Sequence, residues 1–315
     1  MNIYQSTVDY LLKVPVLQAW NESKTILERF ASVQPRDWRL PVIMCEAMGG
    51  SVEQGLPAAA AFACAQIGII LVDDMLDEDP RGEYRHVGAA QAANLATAFL
   101  SAGPQVILHS KAQATAKLSA LLNLNQMILT TAFGQYLDVQ NPQDEDGYWR
   151  VVKTKSAPFF GTGLYIGALF AGASRFASGK AEKIGHLYGE IIQIHDDLND
   201  TMSTPANPDW IQGRSPLPIL YARLVDHPER AKFLELCRNV TNPPDLQEAQ
   251  EILIRCGAIS YCVDQLLRRQ QAAQEILGTL SLARRDAIEV LLEETVRPVW
   301  NLIKSIGETS PEPTM

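Results

Sequence analysis

The stretch from Ala58 to Asp79 reads AAAAFACAQIGIILVDDMLDED. It is apolar from Ala58 to Val72 apart from Gln66, then turns abruptly into Asp73, Asp74, Asp77, Glu78 and Asp79. Its length and alanine content favour a helix, although Ile67–Val72 alone would also suit a strand. In a helix, Asp73 and Asp77 share one face with Asp74 beside them. Like charges at that spacing repel, so a structure that keeps them supplies positive charge. A hard divalent cation such as Mg²⁺ does this through carboxylate oxygens, with a substrate phosphate completing its shell. The plainer alternative is a solvated helix end, although the C-terminal end of a helix dipole is unfavourable for aspartate.

A second copy favours the metal reading. Ile191–Asp200 reads IIQIHDDLND, apolar and then acidic, with Asp196 and Asp200 again four apart and Asp197 between them. Two apolar helices that each deliver paired carboxylates would make two walls of a diphosphate site.

The chain has 315 residues, 47% of them apolar and 20% charged, which is a globular composition. The net charge of -9 argues against a nucleic-acid partner and against an anionic membrane surface. It does not exclude an anionic substrate, because metal ions invert the local field. The five cysteines, at 45, 64, 237, 256 and 262, lack metal-ligand spacing and suit free thiols in a reducing compartment. The five histidines show no zinc spacing either. MNIYQSTVDY does not read as a signal peptide, and the longest apolar run reads as too short for a bilayer span. A soluble, cytoplasmic chain with no membrane span is the expectation.

The pattern along the chain is helical, without convincing period-two alternation. Residues 4–31 read as one or two amphipathic helices, and Leu40–Met48 as another closed by Gly49-Gly50. Gly55-Leu56-Pro57 reads as the lead into the central helix, with Pro57 in an early position. Helices are expected over 88–100, 109–137, 148–172 and 180–200, with a break at Ser101–Pro104 and a kink at Pro158. A loop over 201–218 leads into a mostly helical C-terminal half, and the last residues, SPEPTM, read as a frayed tail. The expected fold is all-α, one domain over residues 1–315, with long helices around a central cavity.

These residues resemble the trans-isoprenyl diphosphate synthases, or polyprenyl synthetases. Asp73, Asp74 and Asp77 match the first DDxxD motif, and Gln193 with Asp196, Asp197 and Asp200 the second. Gly134, Gln135 and Asp138 match a GQxxD element. Tyr148, Lys155 and Ser156 match a tyrosine followed by KT, with Ser for Thr. Gly213, Arg214 and Leu217-Pro218 match a GK element, with Arg for Lys, and Gly257-Ala258-Ile259 with Tyr261 match an element near the C-terminus. The resemblance implies an isoprenoid-synthase bundle and a homodimer. It implies three Mg²⁺ ions on Asp73, Asp74, Asp77, Asp196, Asp197 and Asp200, and an allylic diphosphate clamped by Arg81, Lys155 and Arg214. Gln193 and Ser156 join that site. Isopentenyl diphosphate would attack the allylic cation, with diphosphate as a possible base. Ala61, Cys64, Ala65, Gly68 and Ile69 would line the chain-length tunnel. The lack of bulk at Gly68 would then favour a product of C20 or longer, unless Phe62, Phe99 or Leu100 closes the floor.

The departures fall on the second-substrate half. The first motif is followed by Glu78-Asp79-Pro80-Arg81-Gly82, two residues shorter than usual and with one arginine. The isopentenyl diphosphate region reads RDWRLP from Arg36 to Pro41, with Asp37 at an expected lysine and Arg36 and Arg39 displaced. Gln66 stands where a histidine is usual, and TMSTPANPDW lacks an expected lysine. Chain elongation with isopentenyl diphosphate is the first reading. A class I terpene synthase giving a cyclic or hydroxylated product is the second. A subunit that needs a heteromeric partner, or a purely structural helical protein, completes the alternatives.

Overall fold

The computed structural model describes residues 2–308 and contains no strand among them. The chain is all-α, as its periodicity predicts. The SPEPTM tail lies outside the described residues.

The helix that carries the first acidic motif runs from Val52 to Leu76. It begins earlier than the Gly55–Pro57 lead suggests, because Ser51 and Gln54 cap it reciprocally. The Gln54 N–H donates to Ser51 Oγ at 3.4 Å and the Ser51 N–H to Gln54 Oε1 at 2.8 Å. Pro57 therefore lies inside the helix. At 25 residues this helix is long and apolar enough to cross a membrane, contrary to the sequence estimate. Most of its apolar window is instead buried inside the bundle. Its alanines let neighbouring helices approach closely, and the helix Ala89–His109 packs along it.

That neighbour also departs from expectation. No break occurs at Ser101–Pro104, and Pro104 sits within the helix. A helical proline costs about 3 kcal/mol. Ala102, Gly103, Val106 and Ile107 are buried on either side of it, and burial at roughly 25 cal/mol per Å² outweighs that cost.

The helices Ala114–Val139, Glu145–Lys155 and Ala157–Phe170 follow. The break falls at Ser156, which leaves Pro158 in the first turn of the next helix, where its missing N–H is not needed. The second acid-bearing helix, Arg175–Met202, starts at the Ser174 cap and passes through Gly179 without a break. It packs against Ala157–Phe170 at very short range. A Cβ at Gly185 would lie 2.5 Å from the Phe160 carbonyl oxygen, so only glycine allows this approach. The N-terminal residues form three short helices, Ile3–Leu11, Pro15–Ala19 and Asn21–Ser32, followed by a 3₁₀ turn, Arg36–Arg39. The helices Leu217–Leu224 and Ala258–Gly278 back the second acidic helix, and Asp286–Glu308 closes the bundle.

Candidate active site

Both acidic motifs lie at the C-terminal ends of long buried helices, with a cavity of about 240 Å³ between them. Asp77, Asp138, Lys155, Asp200, Asp209 and Arg214 are among its walls.

Two cations hold the first motif. Lys155 Nζ stands 3.2 Å from Asp73 Oδ1 and 2.6 Å from Asp138 Oδ2. Burial pulls the Lys155 ammonium down, but Asp138 and Asp73 more than offset this and leave it above its ordinary value. Arg214 Nη2 donates to Asp77 Oδ1 at 2.6 Å, and its guanidinium lies 4.0 Å from Asp138 and 3.8 Å from Asp209. Asp138 thus ties the two cations together. The sequence reading included it in an element but not in the site, and Asp209 it did not single out. Asp209 is the lone acid in the 201–218 loop, which was the available signal.

Asp74 faces the other way, toward the Asp79–Glu83 turn; a Cβ at Gly82 would lie 2.8 Å from the Asp74 Cβ. Burial, Asp79 and Asp73 push Asp74 up to about 6. Arg81 is bound to Asp79 at 2.9 Å and lines, with Asp74 and Glu83, a pocket other than the one between the two motifs.

On the second helix, burial, Asp200 and Asp37 push Asp196 up to about 6. Asp197 is 6% exposed and accepts three hydrogen bonds. These come from Tyr148 Oη at 2.7 Å, the Leu217 N–H at 2.8 Å and Gln193 Nε2 at 2.9 Å. Burial pushes it up to about 7 against the pull of those donors. Gln193 in turn accepts from Ser156 Oγ at 2.6 Å. The sequence had matched Tyr148 to a motif without seeing its part in this network.

Among the described residues, no three His, Cys, Asp or Glu side chains converge closely enough to hold a metal ion. The donor chemistry nevertheless suits Mg²⁺: all the candidate groups are carboxylates. Asp74 and Asp196 are both raised by burial and neighbouring carboxylates, because the two cations, Lys155 and Arg214, are held by Asp73, Asp77 and Asp138 instead.

The remaining expected residues fall elsewhere. Gln66 Nε2 donates to Asp37 Oδ2 at 3.0 Å, and Arg36 and Arg39 lie on the neighbouring 3₁₀ turn at a separate cavity. Ala61, Cys64 and Ala65 are fully buried. A Cβ at Gly68 would lie 2.6 Å from Leu100 Cγ and 3.2 Å from the Ala96 carbonyl oxygen, so Leu100 fills the space that the sequence reading left open there. Phe62 stacks on Phe159, with ring centroids 4.1 Å apart.

A long helical bundle with two facing acidic motifs and cations between them defines the class of the isoprenoid synthases. Comparison with known proteins narrows this. The polyprenyl synthetase profile matches residues 36–253, and the chain belongs to that family. It is 22% identical over 247 residues to an octaprenyl diphosphate synthase of Escherichia coli, covering 75% of each chain. It is 25% identical over 268 residues to a short chain isoprenyl diphosphate synthase of Methanothermobacter thermautotrophicus, covering 80% of this chain and 81% of the relative. In fold it resembles the geranylgeranyl pyrophosphate synthetase of Pyrococcus horikoshii, with a TM-score of 0.79, 17% identity and 94% of both chains covered.

Proposed function

We propose that the chain is a magnesium-dependent prenyltransferase that ionises an allylic diphosphate between its two acidic helices. The observation that carries this reading is the pair Lys155 and Arg214, which meet Asp73 and Asp77 across the cavity from the second motif. Asp73, Asp77, Asp196 and Asp200 would hold Mg²⁺, as three ions if the family pattern applies, and Asp74 would join them only with its side chain turned back from the Asp79–Glu83 turn. Bound there, the ions supply positive charge for the diphosphate as it leaves. Lys155 and Arg214 donate N–H groups to the same leaving group, where charge develops as the C–O bond breaks. We assign Asp197 to positioning rather than to the ions, because three donors already occupy its oxygens. It fixes Gln193, and through Gln193 and Ser156 it links the second acidic helix to the helix junction just after Lys155.

Condensation with isopentenyl diphosphate to a C20 or longer diphosphate is the reading that the relatives' names favour. Those names run from short chain to nonaprenyl, so they do not fix the length. With Leu100 against Gly68, Leu100→Ala rather than a change at Gly68 is the substitution expected to lengthen the product. A second reading, ionisation without isopentenyl diphosphate to a cyclic or hydroxylated product, is favoured by the Asp37–Gln66 hydrogen bond, which puts a carboxylate where a cation would be needed.

A homodimer is supported by an exposed apolar stripe on the helix Ala114–Val139: Leu118, Leu122, Leu129, Phe133 and Tyr136, at helical spacing.

The test supplies geranyl, farnesyl and geranylgeranyl diphosphates with Mg²⁺ or with EDTA, with and without isopentenyl diphosphate. Mg²⁺-dependent release of diphosphate supports the ionisation reading. Equal release in EDTA, or none from any substrate, refutes it.

A further inference from the structure

No residue assigned to the reaction lines the cavity at the far end of the bundle. Its volume is about 470 Å³, in the range of small-molecule sites. It lies between the first turn of Val52–Leu76, the start of Ala114–Val139 and the connection from Ala157–Phe170 to Arg175–Met202. Gln54 on its wall and Asp73 belong to one helix, which sets them about 28 Å apart at a rise of about 1.5 Å per residue.

The charge of this cavity is the reverse of the chain's. The sequence carries 36 acidic against 27 basic residues, yet the lining includes Lys111 and Arg175 and no carboxylate. In the cavity between the two motifs, Lys155 and Arg214 are already held by aspartates. Here, among the described residues, neither cation forms an ion pair. Arg175 Nε instead donates to Ser119 Oγ at 2.8 Å. Ser119 is 3% exposed, and its own hydroxyl donates to the Thr115 carbonyl oxygen at 2.9 Å. A buried, fixed hydroxyl therefore orients the guanidinium, and both Nη groups are left without a partner among the described residues.

Two like charges facing one recess repel, and an anion between them removes that cost. The free side of a guanidinium presents paired N–H groups that match two oxygens of a phosphate, and an ammonium adds a point charge. The other polar groups on the wall agree. Thr115 and Ser174 carry hydroxyls, and Gln54 and Gln113 carry amides. No side chain caps the start of Ala114–Val139, so its first-turn N–H groups add partial positive charge on the same wall.

We propose that this cavity binds a phosphate or diphosphate group between the Arg175 guanidinium and the Lys111 ammonium, at a site separate from the reaction centre. The proposal does not depend on the ionisation reading. The group arrives on a soluble phosphate ester or on a lipid headgroup, and the experiment separates the two.

Calorimetry on the full chain in EDTA, with inorganic diphosphate as the probe, should find saturable binding. Lys111→Gln with Arg175→Gln should weaken it by about tenfold or more, as expected when charged hydrogen-bond donors are removed. Both side chains are exposed, so this variant should keep the wild-type circular dichroism. Lys155→Gln with Arg214→Gln, in the distant cavity, should leave the affinity within about twofold. Flotation with phosphatidylglycerol–phosphatidylcholine vesicles is the second arm. Diphosphate binding without flotation assigns a soluble ligand, and flotation that Lys111→Gln with Arg175→Gln abolishes assigns a headgroup; each supports the site. Absence of both saturable binding and flotation overturns the proposal. So does diphosphate binding that survives Lys111→Gln with Arg175→Gln and is lost with Lys155→Gln and Arg214→Gln, which puts the anion between the two acidic motifs instead.

Discussion

Gly134→Ala is the substitution that most directly links packing to the site. Gly134 lies within the helix Ala114–Val139, and intrinsic propensity alone predicts that alanine there would stabilise by about 1 kcal/mol. The packing predicts the opposite. An added Cβ would lie 2.3 Å from the Lys155 backbone nitrogen, 2.5 Å from the Thr154 carbonyl carbon and 2.6 Å from Lys155 Cα. Ordinary contact needs about 3.5 Å, so the helices must part by about 1 Å, and no flexible side chain is there to give way. Overpacking costs about 1–3 kcal/mol, and a backbone wall puts this case at the upper end. At about 2.1 cal/mol/K of unfolding entropy per residue, a chain of 315 residues loses about 1.5 °C per kcal/mol, so Tm should fall by about 4–5 °C. The same movement carries Lys155 away from Asp73 and Asp138, and a displacement of about 1 Å at a reacting site costs about 100-fold in rate. Gly179→Ala is the control: it is also helical, but an added Cβ meets nothing within 4 Å, so alanine should be neutral or stabilising. Scanning calorimetry and Mg²⁺-dependent diphosphate release measure both effects. The reasoning is refuted if Gly134→Ala keeps or raises Tm and turns over within about twofold of the wild type, well short of the loss argued from displacement.

Three further outcomes follow from the geometry. Tyr148→Phe removes a buried donor to Asp197 and should cost about 1–3 kcal/mol, read as a lower urea midpoint at unchanged slope. Asp74, Asp196 and Asp197 are raised to about 6, 6 and 7, so from about pH 4 to 7 the folded metal-free chain holds more protons than the unfolded one. Stability should therefore fall as pH rises through that window, giving a lower Tm at pH 8 than at pH 5 in EDTA, and Mg²⁺ with diphosphate should flatten the slope. Leu122→Glu with Leu129→Glu places two charges on the exposed stripe and should turn a dimer into a monomer with unchanged helical circular dichroism, as read by sedimentation; a wild type that already sediments as a monomer would remove the dimer assignment.

The parts of this architecture that were legible in the sequence share one property: they are local. Asp73 and Asp77, or Asp196 and Asp200, are four apart on apolar helices, and no tertiary knowledge is needed to put each pair on one face. The Ser51–Gln54 cap was equally local, and was passed over only because Gly55 and Pro57 are louder signals of a helix start. What the sequence could not carry was partnership between distant elements. The charge of Asp138 is spent on Lys155 and Arg214, from two other segments. The continuity of the helix through Pro104 depends on burial that only the folded bundle supplies. The space at Gly68 belongs to Leu100 on another helix.

Asp196 and Asp197 show the limit most sharply. They are adjacent, chemically identical and members of one motif, so spacing alone gives them the same role. One residue of helix is a rotation of about 100°. That rotation turns Asp197 into a closed set of donors from Tyr148, Leu217 and Gln193 and leaves Asp196 in the fields of Asp200 and Asp37. The same reasoning applies to Gln66, seven residues and nearly two full turns before Asp73 on the same helix face. Its identity alone suggests a lost ligand for a second diphosphate. Its bond to Asp37 says more: the amide is committed to a carboxylate on the Arg36–Arg39 turn, a partnership that neither residue shows alone.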